Sequence, residues 1–431
     1  MLILTISRHP YLSSLTPTSK CSLAKNLNRH PCLVPLIPNI NESPALLPTL
    51  KSDTHSIKVS GVGHYIRSIT CEKATKLRGR PTLNLKIMNS LVCEPKFILS
   101  QQIARRMLPT PRNKQVCLQA TSYYHCISRC VRRAYLCGRD KYSNKSYEHR
   151  RGWIEKRLLF LSSVFCIDIC AYAVMKNHCH VVIHIDQEKA ASLTDMQVVR
   201  LWHQVCKGTI LTRQFSDEGE VADYLLPTLK NTISVYRERL FDISWFMRLL
   251  NEPIARMAND EDDCTGRFWE GRFVSQALLD EAALAACMVY VELNPIRAGA
   301  AKTPENSPYT SVKRRIEIAR RGDKRLGLMQ FSEKSTIHQS GKLPFEFEDY
   351  LQLIDATGRV IRDENTGYIN RHLPDILTRL RISTSNWLSL TTRFERYFKG
   401  AAGRCSSLSQ LSEIQNTKRR INVCVSKRLF Q

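Results

Sequence analysis

Two histidines separated by one residue lie in the segment 175–180, whose sequence is MKNHCH. In a β-strand, side chains two residues apart point to the same face of the sheet, and their Cα atoms are about 7 Å apart. His178 and His180 can therefore converge on one metal ion, because imidazole nitrogens are common ligands of divalent metals. The alternative at this point is a structural or surface pair of histidines that binds no metal.

The residues after this pair extend the pattern over a predicted strand at 178–186. Positions with the same parity as the two histidines include Val182, His184 and Asp186, whereas every position of the opposite parity is apolar. One face of the strand is therefore predicted to be core, and the other face carries the imidazoles. An apolar face towards the core and a polar face on the other side is the arrangement of an active site on an open sheet.

Tyr290 and Asn294 form a second pair, four residues apart in a predicted helix that Asp280 caps and Pro295 ends. Residues with this spacing share a helix face, so the phenol and the amide project together. A phenol with its pKa near 10 is a weak nucleophile. A divalent cation that polarises a phosphate and helps to neutralise the phenolate would make it an effective one. Most helical tyrosines are core or surface residues, so this role depends on the neighbouring motifs.

The elements that must position these residues follow one another between 121 and 298. A strand at 123–129 is followed by a helix that Ser146 is predicted to cap and that ends near Phe165, since its apolar residues recur every three or four positions. Two apolar strands, separated only by Lys176 and Asn177, then predict an antiparallel hairpin. Next come helices at 194–213 and 229–257, the second with a kink at Pro253, and a strand at 266–279.

This order of elements predicts an α+β fold, with helices on one face of an antiparallel sheet, as in ferredoxin-like folds. Residues 340–400 are predicted to form a separate helical accessory domain with helices at 345–361, 373–380 and 385–398, and residues 401–431 a basic, frayed tail. The four consecutive carboxylates at 260–263 are predicted to form a solvated loop rather than a metal site, because neighbouring side chains point in different directions.

Composition limits the classes of function. The chain has 431 residues, 43% of them hydrophobic, and no apolar stretch approaches the roughly 18 residues of a membrane span. A soluble protein is therefore expected. Its 64 Lys and Arg against 39 Asp and Glu give a net charge of +25, which favours a polyanionic partner such as nucleic acid. Residues 1–115 hold 17 of these cations and only 4 of the acids, so the rest of the chain is only moderately basic.

The N-terminal segment and the cysteines bear on the compartment. Residues 1–106 are rich in Ser, Thr, Pro and Asn and are predicted to be a poorly ordered basic extension, an organellar transit peptide being the alternative. The 16 cysteines are expected to be reduced and mostly buried, which indicates the cytoplasm. Cys126, Cys130 and Cys137 lack the paired spacing of a zinc finger, so a structural zinc is not expected.

Four segments combine these features in a specific order: YHCISR at 124–129, AVMKNHCH at 173–180, GRFWEGRF at 266–273 and YVELNPIRAG at 290–299. Together they resemble the REP-associated tyrosine transposases, a bacterial branch of the single-tyrosine HUH transposases linked to IS200-like insertion sequences. The resemblance covers about residues 108–320, so a catalytic domain is expected at 107–325. The helical unit after 340 resembles the extension of longer members. Cys179 within the histidine pair and Lys176 before it depart from the usual residues without removing a catalytic group.

The resemblance implies a ferredoxin-like (RRM-like) nuclease fold and a divalent metal, Mg²⁺ or Mn²⁺. Carried over by position, it makes His178 and His180 metal ligands, Tyr290 the nucleophile and Asn294 the polar residue that assists at the metal. The phenolate would attack a phosphodiester of single-stranded DNA, leaving a 5'-phosphotyrosine and a free 3'-hydroxyl. Strand transfer would reverse this step with another 3'-hydroxyl, so the protein is expected to be a DNA transposase or endonuclease.

The expected substrate is a short palindromic DNA hairpin of the REP type, as the resemblance implies. Its phosphates are predicted to contact five arginines near the first and last strands: Arg129, Arg132, Arg133, Arg267 and Arg272. Two alternatives stay open. One is a domesticated, catalytically inactive protein that only binds hairpin DNA, and the other is a metal phosphoesterase that forms no covalent intermediate. A homodimer is also open, because dimeric relatives place tyrosine and histidines in trans.

Overall fold

The centre of the computed structural model is a five-stranded mixed β-sheet in the order β2-β3-β1-β4-β5. The first four strands in this order pair antiparallel, whereas β5 pairs parallel with β4. The strands are β1 (Tyr123–Arg129), β2 (Ile167–Val174), β3 (His178–Ile185), β4 (Val274–Leu278) and β5 (Ala401–Ala402). The structure describes residues 115–131, 137–140, 144–322, 327–333, 341–362, 375–418 and 420–430.

The α-helices fall into a group before β4 and a group after it. Those before it are α1 (His149–Val164), α2 (Gln187–Ser192), α3 (Asp195–His203), α4 (Ile210–Glu218), α5 (Leu226–Arg239) and α6 (Ile243–Glu261). Those after it are α7 (Glu281–Glu292), α8 (Asn294–Arg297), α9 (Ser311–Arg321), α10 (Phe347–Arg362), α11 (Asp375–Arg379), α12 (Thr384–Tyr397), α13 (Cys405–Ile414) and α14 (Val423–Leu429). A short 3₁₀ helix, Asp223–Leu225, precedes α5.

Most helices of the two groups cover opposite faces of the sheet. Helix α13 is the exception, because Leu408 and Leu411 join the core of the first group. Tyr124, Cys126 and Val181 lie in one core with the apolar residues of α1, α3, α5 and α6. Ala173 and Val182 point to the other face, where they share a core with α7, α10 and α12. Side chains alternate along a strand, so a sheet whose strands are apolar on both sides must be covered on both sides.

The predicted α+β class is confirmed, but the prediction of helices on one face of an antiparallel sheet is wrong. A simple ferredoxin-like arrangement has four antiparallel strands and one helical layer, whereas this sheet has a fifth, parallel strand and two helical layers. The second helical layer is needed because β2 is buried along almost its whole length, so both of its faces require apolar partners.

The hairpin of β2 and β3 is confirmed. The strand register brings histidines of neighbouring strands to one face of the sheet, which we call the histidine-bearing face. The turn at Lys176 and Asn177 is closed by the backbone N–H of Met175, which donates to the carbonyl of His178 at 2.8 Å. Across the next strand pair, His180 of β3 is opposite Ile127 of β1. Opposite residues in an antiparallel pair share a face, and so do alternate residues of one strand, so His125 of β1 lies on the face that carries His180.

The predicted helix 229–257 is two helices, because α5 ends at Arg239 and Asp242 starts α6. The Asp242 carboxylate accepts hydrogen bonds from the backbone N–H groups of Ser244 and Trp245, an N-cap that the sequence interpretation missed. Pro253 lies within α6 and does not end it.

Two other boundaries also differ from prediction. Helix α1 begins at His149 with Glu148, not Ser146, in the N-cap position. The predicted strand 266–279 is regular only at Val274–Leu278, and the part before it is an irregular segment tied to the end of β1 by the bridge between Cys130 and Trp269.

Two of the four consecutive carboxylates are not solvated as predicted. Glu261 accepts a hydrogen bond from Nε of Arg150 at 2.7 Å, and Asp262 pairs with the Nη2 group of the same guanidinium. The Arg150 side chain is fully buried, and a buried charge requires a partner of opposite charge. These ion pairs join the start of α1 to the end of α6.

Most of the described helices after 340 pack against the histidine-bearing face, whereas α13 joins the opposite core. Phe394 of α12 and Leu353 of α10 share a core with α7, and β5 extends the sheet. The segment after Gly403, predicted as a frayed tail, contains α13 and α14, and Leu408 and Phe430 in this segment are buried. The domain boundaries at 107, 325 and 340 stay predictions, and the predicted extension 1–106 lies outside the described residues. No helix in the described part of the chain is both long and apolar enough to cross a bilayer.

Candidate metal centre and tyrosine site

Two buried histidines meet on the face of the sheet that α7 and α12 cover. His125 of β1 and His180 of β3 are both fully buried, with stacked rings whose centroids are 5.2 Å apart. Nε2 of His125 is 3.0 Å from Nδ1 of His180. Adjacent antiparallel strands bring the two rings together because both side chains point to the same face.

Helix α12 adds a carboxylate to the two histidines. Oε1 of Glu395 is 3.3 Å from Nδ1 of His180, and the side chain of Glu395 is 28% exposed. Among the described residues, His125, His180 and Glu395 form the one group of three whose ligand atoms all lie within 4.8 Å of one another. With metal–ligand bonds of about 2.0 to 2.2 Å, neighbouring ligand atoms lie roughly 3 Å apart, so the 3.0 and 3.3 Å separations suit a shared cation.

A chain of hydrogen bonds assigns the protons of both rings. Nδ2 of Asn294 donates to Nε2 of His180 at 3.0 Å, which leaves the proton of that ring on Nδ1, facing His125 and Glu395. His125 in turn donates from Nδ1 to Oε1 of Gln276 at 3.2 Å, and Gln276 donates to the carbonyl of Phe398 at 2.9 Å. A cation held by the three residues would take the place of the proton between His180 and its two neighbours.

Burial keeps the two central imidazoles neutral. It lowers the pKa of His180 well below its usual 6.5, with nearby His178 adding to the effect, and it also lowers the pKa of His125. The neutral imidazole is the form that binds a metal ion, since a protonated ring has no free lone pair. The site therefore holds its histidines ready for a cation at neutral pH.

His178, one of the two ligands that the resemblance implies, lies beside this group rather than in it. Its ring is edge-on to His180, with centroids 4.7 Å apart, and its Nδ1 is 2.6 Å from Oδ1 of Asn177. Burial and the positive charge of Arg129 lower the pKa of His178 to about 4. The structure thus brings His180 together with His125 and Glu395, while His178 is held by the turn of the hairpin.

Tyr290 contacts the same carboxylate as the histidines. Its hydroxyl donates to Oε1 of Glu395 at 3.2 Å, and its ring packs between Phe394, with centroids 5.9 Å apart, and the guanidinium of Arg297 at 4.1 Å. The residue is only 8% exposed. Burial and the charge of Glu395 raise the pKa of Tyr290 above its usual 10, so the phenol is protonated at neutral pH.

Arg297 ties the tyrosine helix to α12. Its guanidinium is largely buried, donates to the carbonyl of Thr391 at 3.0 Å and lies 3.4 Å from the carbonyl of Tyr290. Its charge acts on Tyr290 in the direction that lowers the pKa of the phenol, opposing burial. Arg297 belongs to one of the four resembling segments, although the sequence interpretation gave it no role.

Two of the predicted DNA-binding arginines meet at one cavity. Arg129 and Arg272 line one cavity of about 400 Å³, which also reaches Gln276 and Glu395 of the site. Arg267 is exposed at the start of the irregular segment 266–273 and does not line this cavity. Arg132 and Arg133 lie outside the described residues.

Three residues of the site were missed by the sequence interpretation, namely His125, Gln276 and Glu395. His125 and Gln276 are opposite each other in neighbouring strands, so the strand register would have identified both. Glu395 lies far along the chain from the histidines, in the predicted helix 385–398. Nothing in its local sequence distinguishes it from a solvated carboxylate.

Comparison with known proteins gives a weak relationship. No family model matches the sequence, and no curated protein matches it. A solved structure of a REP-associated tyrosine transposase bound to a REP hairpin is 12% identical, covers 52% of this chain and 91% of its own, and has a TM-score of 0.28. A similarity at this level assigns no family to the chain.

Proposed function

We propose that this protein is a metal-dependent transposase or single-strand endonuclease that cuts and rejoins DNA through Tyr290. One observation carries the proposal: the hydroxyl of Tyr290, the carboxylate of Glu395 and the rings of His125 and His180 meet in one cluster on the sheet. A phenol next to a candidate metal site is the combination that tyrosine-based phosphodiester chemistry requires. Three of the four residues of this cluster lie in segments that resemble the tyrosine transposases. They are His125, His180 and Tyr290.

The residues that would hold the cation are His125, His180 and Glu395, with Asn294 and Gln276 orienting the two rings. Two imidazoles and a carboxylate suit a first-row transition ion such as Mn²⁺ better than Mg²⁺, which prefers oxygen ligands. Such an ion would neutralise charge on the scissile phosphate and on the phenolate.

Tyr290 acts as the nucleophile in this proposal. Its hydroxyl proton passes to Oε1 of Glu395, the atom to which it already donates at 3.2 Å. The phenolate oxygen forms a bond to phosphorus, and the bond from phosphorus to the 3'-oxygen breaks. The products are a 5'-phosphotyrosine and a 3'-hydroxyl that takes its proton from solvent. A different 3'-hydroxyl can reverse the step, which rejoins DNA without an external energy source.

The proposed substrate is single-stranded or hairpin DNA of the REP type. Arg129 and Arg272 lie on the wall of the cavity that reaches Glu395, so they can hold phosphates next to the reacting tyrosine. Guanidinium groups suit this task because they bind phosphate oxygens in pairs. Arg132, Arg133 and Arg267 stay candidates for contacts farther along the strand.

The test is formation of a covalent adduct. We expect wild-type protein, incubated with Mn²⁺ and a labelled single-stranded REP hairpin, to give a DNA adduct that survives denaturation. Tyr290→Phe should give none, while chelation of the metal should abolish the wild-type adduct. Absence of an adduct with wild type, or its persistence in the Tyr290→Phe variant, would refute the mechanism.

A second candidate, a domesticated hairpin-binding protein without catalysis, is favoured by one observation. Tyr290 is 8% exposed and packs against Phe394, so little of the residue is accessible to a DNA strand in this arrangement of α12. This candidate predicts tight hairpin binding without an adduct in either Mn²⁺ or Mg²⁺. The same experiment therefore separates the two.

A further inference from the structure

Two neighbouring cavities form a groove beside the metal centre, which we call the β4 groove. The inner cavity, about 400 Å³, is lined among others by Arg129, Arg272 and Lys399. The outer cavity, about 360 Å³, is lined by residues of α6 and by Trp269 and Phe273. Gly271 and Arg272 line both, so the two cavities are adjacent. Each has the size of a typical ligand pocket.

The inner cavity is basic. None of Arg129, Arg272 and Lys399 forms an ion pair with another residue in the described part of the chain, and Arg129 and Arg272 are exposed. Glu270 and Glu395 are the carboxylates on its wall. Three cations around one cavity, against these two carboxylates, provide an electrostatic site for phosphate groups.

The outer cavity has an aromatic wall that is held in place. The indole N–H of Trp269 donates to the carbonyl of Asn251 at 2.9 Å, and the ring lies edge-on to Phe268 with centroids 5.0 Å apart. The backbone of the same segment is fixed to the end of β1, because the N–H of Glu270 donates to the carbonyl of Arg129 at 2.8 Å. Trp269 and Phe273 are half-buried, so part of each residue is exposed.

The groove leads to the reacting groups. Gln276 and Glu395 line the inner cavity, and these two residues contact His125 on one side and His180 with Tyr290 on the other. A strand that lies in the groove therefore has its phosphates at the basic inner end, next to the tyrosine. Its bases extend towards the aromatic outer end.

We propose that the β4 groove binds an unpaired DNA strand adjacent to the cleaved phosphate, with phosphates on Arg129, Arg272 and Lys399 and bases stacked on Trp269 and Phe273. The inference rests on the proposed function and adds its strand-binding surface. Cations that follow a backbone, combined with aromatic rings that stack bases, are the features of single-strand binding. Paired bases in a duplex are already stacked on one another and cannot use such rings.

The test measures binding separately from cleavage. Fluorescence anisotropy follows a labelled oligothymidylate of about twelve nucleotides with the full-length Tyr290→Phe protein in metal-free buffer. We expect Arg272→Ala and Trp269→Ala each to weaken binding about tenfold. Arg320→Ala, which removes an exposed arginine of α9 elsewhere on the protein, is the matched control and should bind like the parent. A blunt duplex of the same length should bind more weakly and be insensitive to Trp269→Ala.

Two further variants distinguish loss of binding from loss of folding. Trp269→Phe keeps a stacking ring and should retain most of the affinity. Arg272→Glu changes an exposed side chain and should lose more affinity than Arg272→Ala. Unchanged affinity in the Arg272 and Trp269 variants, or equal losses in Arg320→Ala, would overturn the groove. If the groove variants lose affinity but wild type forms no adduct, the groove stands and the proposed catalysis fails. If wild type forms the adduct but the groove variants keep their affinity, the groove is refuted and the proposed catalysis stands.

Discussion

At the scale of single residues, one carboxylate oxygen connects the tyrosine to the histidines. Oε1 of Glu395 accepts from the Tyr290 hydroxyl at 3.2 Å and lies 3.3 Å from Nδ1 of His180. A group in this position can both bind a cation and receive the phenol proton. Its removal should therefore affect metal binding and adduct formation together.

For Glu395→Gln, we expect Mn²⁺ affinity to fall at least about tenfold, because the amide is similar in size but has no charge. Adduct formation should fall with it. Glu413→Gln, an exposed position on α13, is the matched control and should leave both unchanged. Titration followed by Mn²⁺ electron paramagnetic resonance measures affinity directly. If Glu395→Gln bound Mn²⁺ with the wild-type affinity, Glu395 would not be a metal ligand.

The choice of histidine ligands gives a second prediction. His125→Gln should weaken Mn²⁺ binding about ten- to a hundredfold, whereas His178→Gln should have a much smaller effect, because His178 is held by Asn177 outside the three-residue group. Isothermal titration calorimetry of the two variants checks the order. A larger loss in His178→Gln would restore the ligand pair that the sequence resemblance implies.

The buried histidines also make stability depend on pH. The pKa of His178 is about 4 in the folded protein and near 6.5 when unfolded, so the unfolded chain binds more protons between these values. The free energy of unfolding of the metal-free protein should therefore fall as pH drops from 7 to 5. His178→Gln should reduce this slope by up to about 1.4 kcal/mol per pH unit. Urea unfolding at several pH values measures it, and parallel curves for variant and wild type would contradict the assignment.

At the scale of elements, the start of the tyrosine helix is fixed to the start of α13. Asp280 begins α7 by accepting from the N–H of Ala283 at 3.0 Å, as the sequence predicts. Its second oxygen accepts from the backbone N–H of Arg404 at 2.6 Å and from the hydroxyl of Ser407 at 3.0 Å, at the start of α13. One carboxylate therefore joins two helices that are distant in sequence.

Asp280→Ala should lower the free energy of unfolding by about 2 to 3 kcal/mol, because two helix starts lose their acceptor. Thr194→Ala, which removes the cap of α3 alone, should cost about 1 kcal/mol and is the matched control. Urea midpoints at constant m-value measure both. Equal losses in the two variants would show that the link from Asp280 to α13 adds no stability.

At the scale of the whole molecule, the charge of +25 is a poor guide to where DNA binds. Residues 1–115 carry 17 of the 64 cations, and Arg150 and Arg315 among the others are buried. What distinguishes the β4 groove is the concentration of Arg129, Arg272 and Lys399 around one cavity that reaches the tyrosine.

Salt dependence measures how local this binding is. Three phosphate contacts to a single strand predict a slope of about −2 for the logarithm of affinity against the logarithm of salt concentration. Lys399→Ala should reduce the magnitude of the slope by about 0.7. Anisotropy titrations at several salt concentrations provide both values. A much steeper slope that Lys399→Ala leaves unchanged would mean that binding is spread over the protein surface.

The sequence alone determined the local features. The alternation along β3, the hairpin with β2 and the cap at Asp280 all follow from spacing within short segments. The helix predicted to carry both Tyr290 and Asn294 instead ends at Glu292, and Asn294 begins α8. The three local features depend on contacts between residues close in the chain, where backbone geometry allows few alternatives. The α+β class also follows from the order of such elements.

Only the tertiary structure decided which distant residues complete the site. His125 lies next to His180 because of the register of β1 on β3. Glu395 reaches the site because α12 covers the second face of the sheet, which a single helical layer would leave uncovered. Register and layer packing depend on apolar surface summed over many segments. For that reason the spacing of HCH in the sequence indicated His178 and His180, whereas the folded chain groups His180 with His125 and Glu395.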